Sequence, residues 1–126
     1  MEAGGQQVPH DRGDQLEQVQ NGLLEGEQLY AVYDAKGGGT GFIGLTDQRV
    51  ILQDKSFMGR QVALVSIPYS RIYSVAVLSD ASIGGKFFST SSLHIATGGG
   101  GHSIEFRGAD KAKYAHDLIL SKLLAD

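Results

Sequence analysis

Apolar and polar positions alternate at short range between Leu45 and Val75, where LTDQRVILQDKSFMGRQVALVSIPYSRIYSV holds three runs rich in Val, Ile and Leu. A polar turn, a loop with one Gly and a Pro-containing corner separate them, which predicts a meander of antiparallel strands. With Asp47 and Gln48 as the central turn residues, Leu45 stands opposite Val50 and Ile43 opposite Leu52, and all four share a face that should be core. The third strand then ends near Asp54, KSFMGR forms a loop, and QVALVSI is a fourth strand with Val62 and Leu64 on one face. Pro68 lacks the N–H that a ladder needs, so IPYS reads as a corner. RIYSVAVL is a fifth strand with Val75 and Val77 inward; Ile72, three residues from Val75, joins them only through a β-bulge.

Outside this meander the pattern changes period. Residues 1–13 combine Gly, Gln, Pro and scattered charge with almost no apolar content, and are expected to form a disordered tail. From Asp14, a good N-cap type, Leu16, Val19 and Leu23 recur at spacings of three and four, predicting a short amphipathic helix that ends near Gly26. Residues 28–34 read as a first strand, and AKGGGTG connects it to FIGLT as the second. SDASIGGKFFSTSS is loop-like, although KFF could extend a strand. Residues 92–97 and 102–107 flank a GGGG loop, and symmetric pairing about it sets Leu93 against Phe106 and Ile95 against Ile104 inward, with His94 against Glu105 outward. Asp110 then caps a helix running to about Leu124, with Ala115, Leu118, Ile119 and Leu123 in one apolar stripe.

Seven strands with hairpin-length connections and one long terminal helix fit a closed or nearly closed small antiparallel barrel with the helix laid over an open end. A chain of 126 residues supports one core. It contains no cysteine, which excludes disulfides, thiolate metal sites and cysteine nucleophiles and fits a reducing, cytoplasmic setting. No run approaches the roughly 18 apolar residues of a membrane span, and the polar N-terminus does not read as a secretion signal. The net charge is -3. Most of it lies before residue 27, so neither part is a nucleic-acid footprint.

The order LTDQRVIL then SIPYSRIYSV resembles the bacterial pleckstrin-homology-like (PH-like) domains, in which a strand ends in a Thr-Asp turn, an Arg opens the next, and an Ile-Pro-Tyr corner leads into an Ile-containing strand. Here these positions are Thr46, Asp47, Arg49, Ile67, Pro68, Tyr69 and Ile72, and the resemblance runs from about residue 22 to the end. It implies a mainly β fold: a strongly bent, seven-stranded antiparallel barrel capped by the C-terminal helix, with a short N-terminal helix, as a single domain over residues 14–126. It also implies protein binding and homo-oligomer assembly. Lipid-binding members of the wider fold place several bases around the first hairpin loop; here DAKGGGTG has only Lys36, beside Asp34, which argues against that mode of phosphoinositide recognition.

The Thr46, Asp47, Arg49 group is explained by a turn, with Arg49 free to pair with a carboxylate, and Tyr69 and Arg71 by the corner after Pro68. Lys55, Phe57, Met58 and Arg60 place two large apolar side chains between two bases, a contact surface suited to an acidic partner or an anionic membrane. The four histidines lack metal-ligand spacing, no glycine run has phosphate-loop spacing, and no Gly-x-Ser-x-Gly elbow occurs. Lys111 and Lys113 sit in the first turn of the last helix, where cations are mildly unfavourable; a solvated face is the expected reading, with an anion or partner contact as the alternative. The expectation is a non-enzymatic interaction domain without cofactor, metal or nucleic acid, binding a protein or itself through sheet edges; the alternative is peripheral membrane or anionic-ligand binding through the Lys55–Arg60 loop.

Overall fold

Register in the first half of the molecule is set by the turn at Asp47 and Gln48. In the computed structural model, which describes residues 7–36, 40–55, 62–79, 90–108 and 110–125, strand β2 (Thr40–Thr46) pairs with β3 (Arg49–Asp54) so that Ile43 faces Leu52 and Leu45 faces Val50. All four side chains lie in one core cluster, as the alternation requires. The sheet is completed by β1 (Leu29–Asp34) and β4 (Ala63–Pro68), in the order β1-β2-β3-β4.

The opposite face of this sheet is covered too. Helix α1 (Gly13–Asn21) lays Val19 on Val32, Phe42 and Ile51, with Leu16, Leu23 and Leu29 around the contact. This explains why β2 reads as a continuous apolar run rather than an alternation. Gly44 permits the close approach: a Cβ there would lie 3.3 Å from both γ-carbons of Val19. The helix is shorter than its pattern predicts, and its cap falls two residues before Asp14. Arg12 occupies the cap position and, having only donors, makes no capping side-chain bond; its guanidinium instead makes a two-pronged contact with Asp14 in the first turn. The chain leaves the helix at Gly22, whose carbonyl is held by Arg49.

In β4 the face carrying Val62 and Leu64 is the outward one: these side chains are 52% and 47% exposed, while Val65 and Ile67 turn toward the core. Pro68 ends the strand opposite Arg49, and a single 3-10 turn (Tyr69–Arg71) makes the corner. Strand β5 (Ile72–Ser79) then opens a second sheet with β6 (Thr90–Thr97) and β7 (Gly100–Arg107), in the order β5-β6-β7. A register shift between Ile72 and Ser74 supplies the bulge that brings Ile72, Val75 and Val77 to one interior.

The β6–β7 hairpin is tighter than symmetric pairing about four glycines predicts. Thr97 pairs with Gly100, leaving Gly98 and Gly99 as the turn, so Leu93 faces Ile104, Ile95 faces His102 and Ser92 faces Glu105. The Thr97 hydroxyl donates to the Gly100 carbonyl at 2.8 Å, and Gly100 takes a φ of +130° that other residues rarely adopt. Because the shift preserves parity, Leu93, Ile95, Ile104 and Phe106 are all still buried, but His94 meets Ser103 rather than Glu105.

Helix α2 (Asp110–Leu124) buries Ala112, Ala115 and Ile119 against the second sheet, with Leu118 and Leu123 half-buried. The two sheets meet at one corner, where the Lys36 amide donates to the Glu105 carbonyl at 2.6 Å and Thr40 Oγ1 to the Ser103 carbonyl at 3.2 Å. At the other corner β4 and β5 diverge with no ladder between them among the described residues. The barrel is therefore two bent sheets rather than a closed cylinder. Residues 8–11, within the segment expected as a tail, run beside β1: the Val32 amide donates to the Pro9 carbonyl and the Asp11 amide to the Val32 carbonyl. No helix among the described residues is long and apolar enough to cross a membrane.

Candidate functional site

The seven motif residues gather at the turn and corner, and their polar groups are consumed there. Glu27, which no sequence pattern singled out, is the centre. Its fully buried carboxylate accepts Arg49 Nε at 2.8 Å, Arg49 Nη2 at 2.9 Å, the Thr46 hydroxyl at 2.7 Å and the Leu24 amide at 2.9 Å. Thr46 Oγ1 in turn accepts the amides of Gln48 and Arg49, closing the turn. The rest of the Arg49 fork donates to Ser66 Oγ and the Gly22 carbonyl. Tyr69 donates its buried hydroxyl to the Thr46 carbonyl at 2.8 Å, and Asp47 accepts the Gln28 amide.

This wiring fixes protonation states. The Arg49 fork, with the Leu24 amide and Thr46 hydroxyl, outweighs burial and holds the Glu27 carboxyl down at about 2, while Glu27 pushes the Arg49 guanidinium up. Burial pushes the Tyr69 phenol above its ordinary value. With all three Arg49 nitrogens engaged, in four bonds, and both carboxylate oxygens shared, the group is occupied within the fold. The set ties α1, β1, β2, β3 and the corner together.

Of the Lys55, Phe57, Met58, Arg60 surface, Lys55 is described and exposed at the end of β3; Phe57, Met58 and Arg60 lie outside the described residues. The histidines are dispersed. His10 bonds the Val8 carbonyl, His94 the Ser103 hydroxyl and His116 Asp117, and no cluster of three or more metal-ligating side chains occurs among the described residues. The awkward lysines of α2 are also accounted for. Lys111 pairs with Asp11 of the N-terminal segment at 2.8 Å, and Lys113 with Asp117 one turn on at 2.6 Å. Around Lys111 a charged cluster adds Arg12, Asp34 and Arg107, in which Arg107 pairs with Asp34 at 3.2 Å and Gln15 also donates to Asp34.

A different situation holds where β4 and β5 diverge. There a groove of about 440 Å³ runs between β4 and the β6–β7 turn, walled by Val65, Ile67, Pro68 and Tyr73, with Arg71 and His102 on its lining. Its walls are mostly apolar and, among the described residues, include no acidic side chain. Arg12, Arg49 and Arg107 each pair with a carboxylate. Arg71, exposed at the end of the 3-10 turn, has no hydrogen bond or ion pair from its side chain among the described residues, and neither has the ring of His102. Sequence reasoning assigned Arg71 to the corner and passed over His102, because only the fold brings β4, the corner and β7 to one groove.

The comparisons with known proteins agree with this architecture. No curated protein matches the chain. Among solved structures, the crystal structure of a pleckstrin homology domain from Shewanella amazonensis SB2B is similar at a TM-score of 0.62 and 21% identity, over 98% of this chain and 96% of that one, a likeness of fold. A family model described as bacterial PH domain matches residues 24–119, which contain all seven strands and most of α2. The chain therefore belongs to the bacterial PH domain family.

Proposed function

We propose that this is a non-enzymatic interaction domain that takes an extended protein segment at the open corner between β4 and β5. The observation that carries the reading is how the sheet edges are finished. The edge of β1 is covered by Pro9–Asp11 and that of β7 by Lys36, whereas β4 and β5 end their sheets with no strand beyond them among the described residues. Neither strand contains a charged residue, and Leu64, Tyr73 and Leu78 on them are exposed. Edges that must stay unpaired are ordinarily blunted by charge, Pro or a covering segment; here Pro68 stands only at the last position of β4, so the largely bare apolar edge suits strand addition. The segment belongs to another protein or, in a homo-oligomer, to a second copy of this chain.

Random ten-residue peptides displayed on phage and selected on the immobilised full chain test this. Binders should slow amide hydrogen exchange in residues 63–68 or 72–79. A failure to select any binder, or protection confined to α1 and β1, overturns the reading. Light scattering separates the two sources, since a mass that rises with protein concentration identifies the second copy.

A second reading rests on Val62 and Leu64, whose outward side chains continue the basic and apolar stretch Lys55, Phe57, Met58, Arg60. On this reading the stretch meets an anionic membrane surface. Cosedimentation with phosphatidylserine vesicles at two salt concentrations decides: binding should fall as salt rises, and no pelleting at low salt removes the idea.

A further inference from the structure

We infer that the groove selects an acidic segment: a partner strand laid along β4 presents a carboxylate to Arg71 and His102. The inference rests on the strand-docking reading and adds the chemistry of the partner. Arg71 is placed by rigid surroundings: it is the last residue of the 3-10 turn that opens at Tyr69, and the bond from the Tyr69 phenol to the Thr46 carbonyl fixes that corner. Its guanidinium is a planar fork suited to two parallel bonds to one carboxylate. Every other described arginine already pairs with a carboxylate, Arg12 and Arg49 through two bonds and Arg107 through one, and the groove holds no acid among the described residues to satisfy this one. His102 carries at least one ring N–H in any protonation state, so it serves as a second donor.

The groove is also a local exception in an acidic molecule. With a net charge of -3 the chain does not draw acidic partners by its overall field, so selection depends on contact with these two side chains. One guanidinium and one imidazole match a single carboxylate; an inositol phosphate gathers several cations. The walls of Val65, Pro68 and Tyr73 offer apolar contact to the residues flanking the acid, alternating with it along an extended strand.

The test uses peptides selected on the full chain. Each binder that protects β4 should contain Asp or Glu, and replacing that residue with Asn or Gln should weaken binding at least tenfold by fluorescence anisotropy. Arg71→Gln should abolish the difference between the acid and amide peptides, Arg71→Lys should restore part of it, and His102→Gln should reduce it, with thermal unfolding unchanged in all three. Selected binders without an acid, or acid and amide peptides bound equally, overturn the inference; protection of residues 63–68 in that case leaves strand docking standing. Absence of protection at either edge defeats the docking reading itself and the inference with it.

Discussion

Arg49 and Arg71 flank the same corner and have opposite fates. Arg49 is mostly buried, bonded through all three of its guanidinium nitrogens, and paired with a carboxylate that has no solvent exposure. Arg71 is exposed beside an apolar groove with no acceptor among the described residues. The contrast shows that residue type at a corner says little about role. What matters is whether the fold delivers a counter-charge, and Glu27 is delivered to one arginine and no acid to the other.

The largest expected effect comes from breaking the satisfied partner. Arg49→Ala leaves Glu27 buried and unpaired, and should cost on the order of 3–5 kcal/mol in chemical denaturation. A loss below about 1 kcal/mol would mean that the network is not what holds the corner. Proton linkage gives a second handle. The folded carboxyl of Glu27 sits at about 2 against an ordinary 4.5, so its stabilisation is fully present above that ordinary value and is lost as pH falls through the interval between them. Urea titrations across this interval should show stability declining in the native chain and a flatter profile in Arg49→Ala. Asp14 and Asp117 are also held low, by Arg12 and Lys113, but both are exposed and contribute little to the slope.

Tyr69→Phe removes one buried hydrogen bond to the Thr46 carbonyl and should cost about 1–2 kcal/mol. Asp11→Asn breaks the half-exposed pair with Lys111; up to about 1 kcal/mol is expected, shrinking in high salt. The smallest effect sharpens the comparison most. Arg71→Gln should change stability by no more than about 0.5 kcal/mol, because no side chain among the described residues pairs with it. A loss comparable to that of Arg49→Ala would show that Arg71 has a structural partner after all.

The same contrast extends to the two finished and unfinished edges. Pro9–Asp11 covers β1 and gives Lys111 its counter-charge, where the sequence reading expected a solvated face. The uncharged sequences of β4 and β5 were equally readable, but which faces and edges they leave open was not. Val62 and Leu64 look like core by composition and are outward because Val65 and Ile67 hold the inner phase. In the β6–β7 hairpin a run of four glycines carries no mark of where the turn falls; the Thr97 hydroxyl decides it, and with it the partner of His94.

Alternation and turn chemistry are local, so the sequence by itself determined the seven strands, the β2–β3 register and the apolar stripe of α2, while the bulge that turns Ile72 inward with Val75 was left to the structure. Contacts between residues far apart in the chain depend on how the sheets bend toward each other. Only the tertiary structure therefore decided that Glu27 would meet Arg49, that Asp11 would meet Lys111, and that Arg71 and His102 would share an apolar groove without an acid.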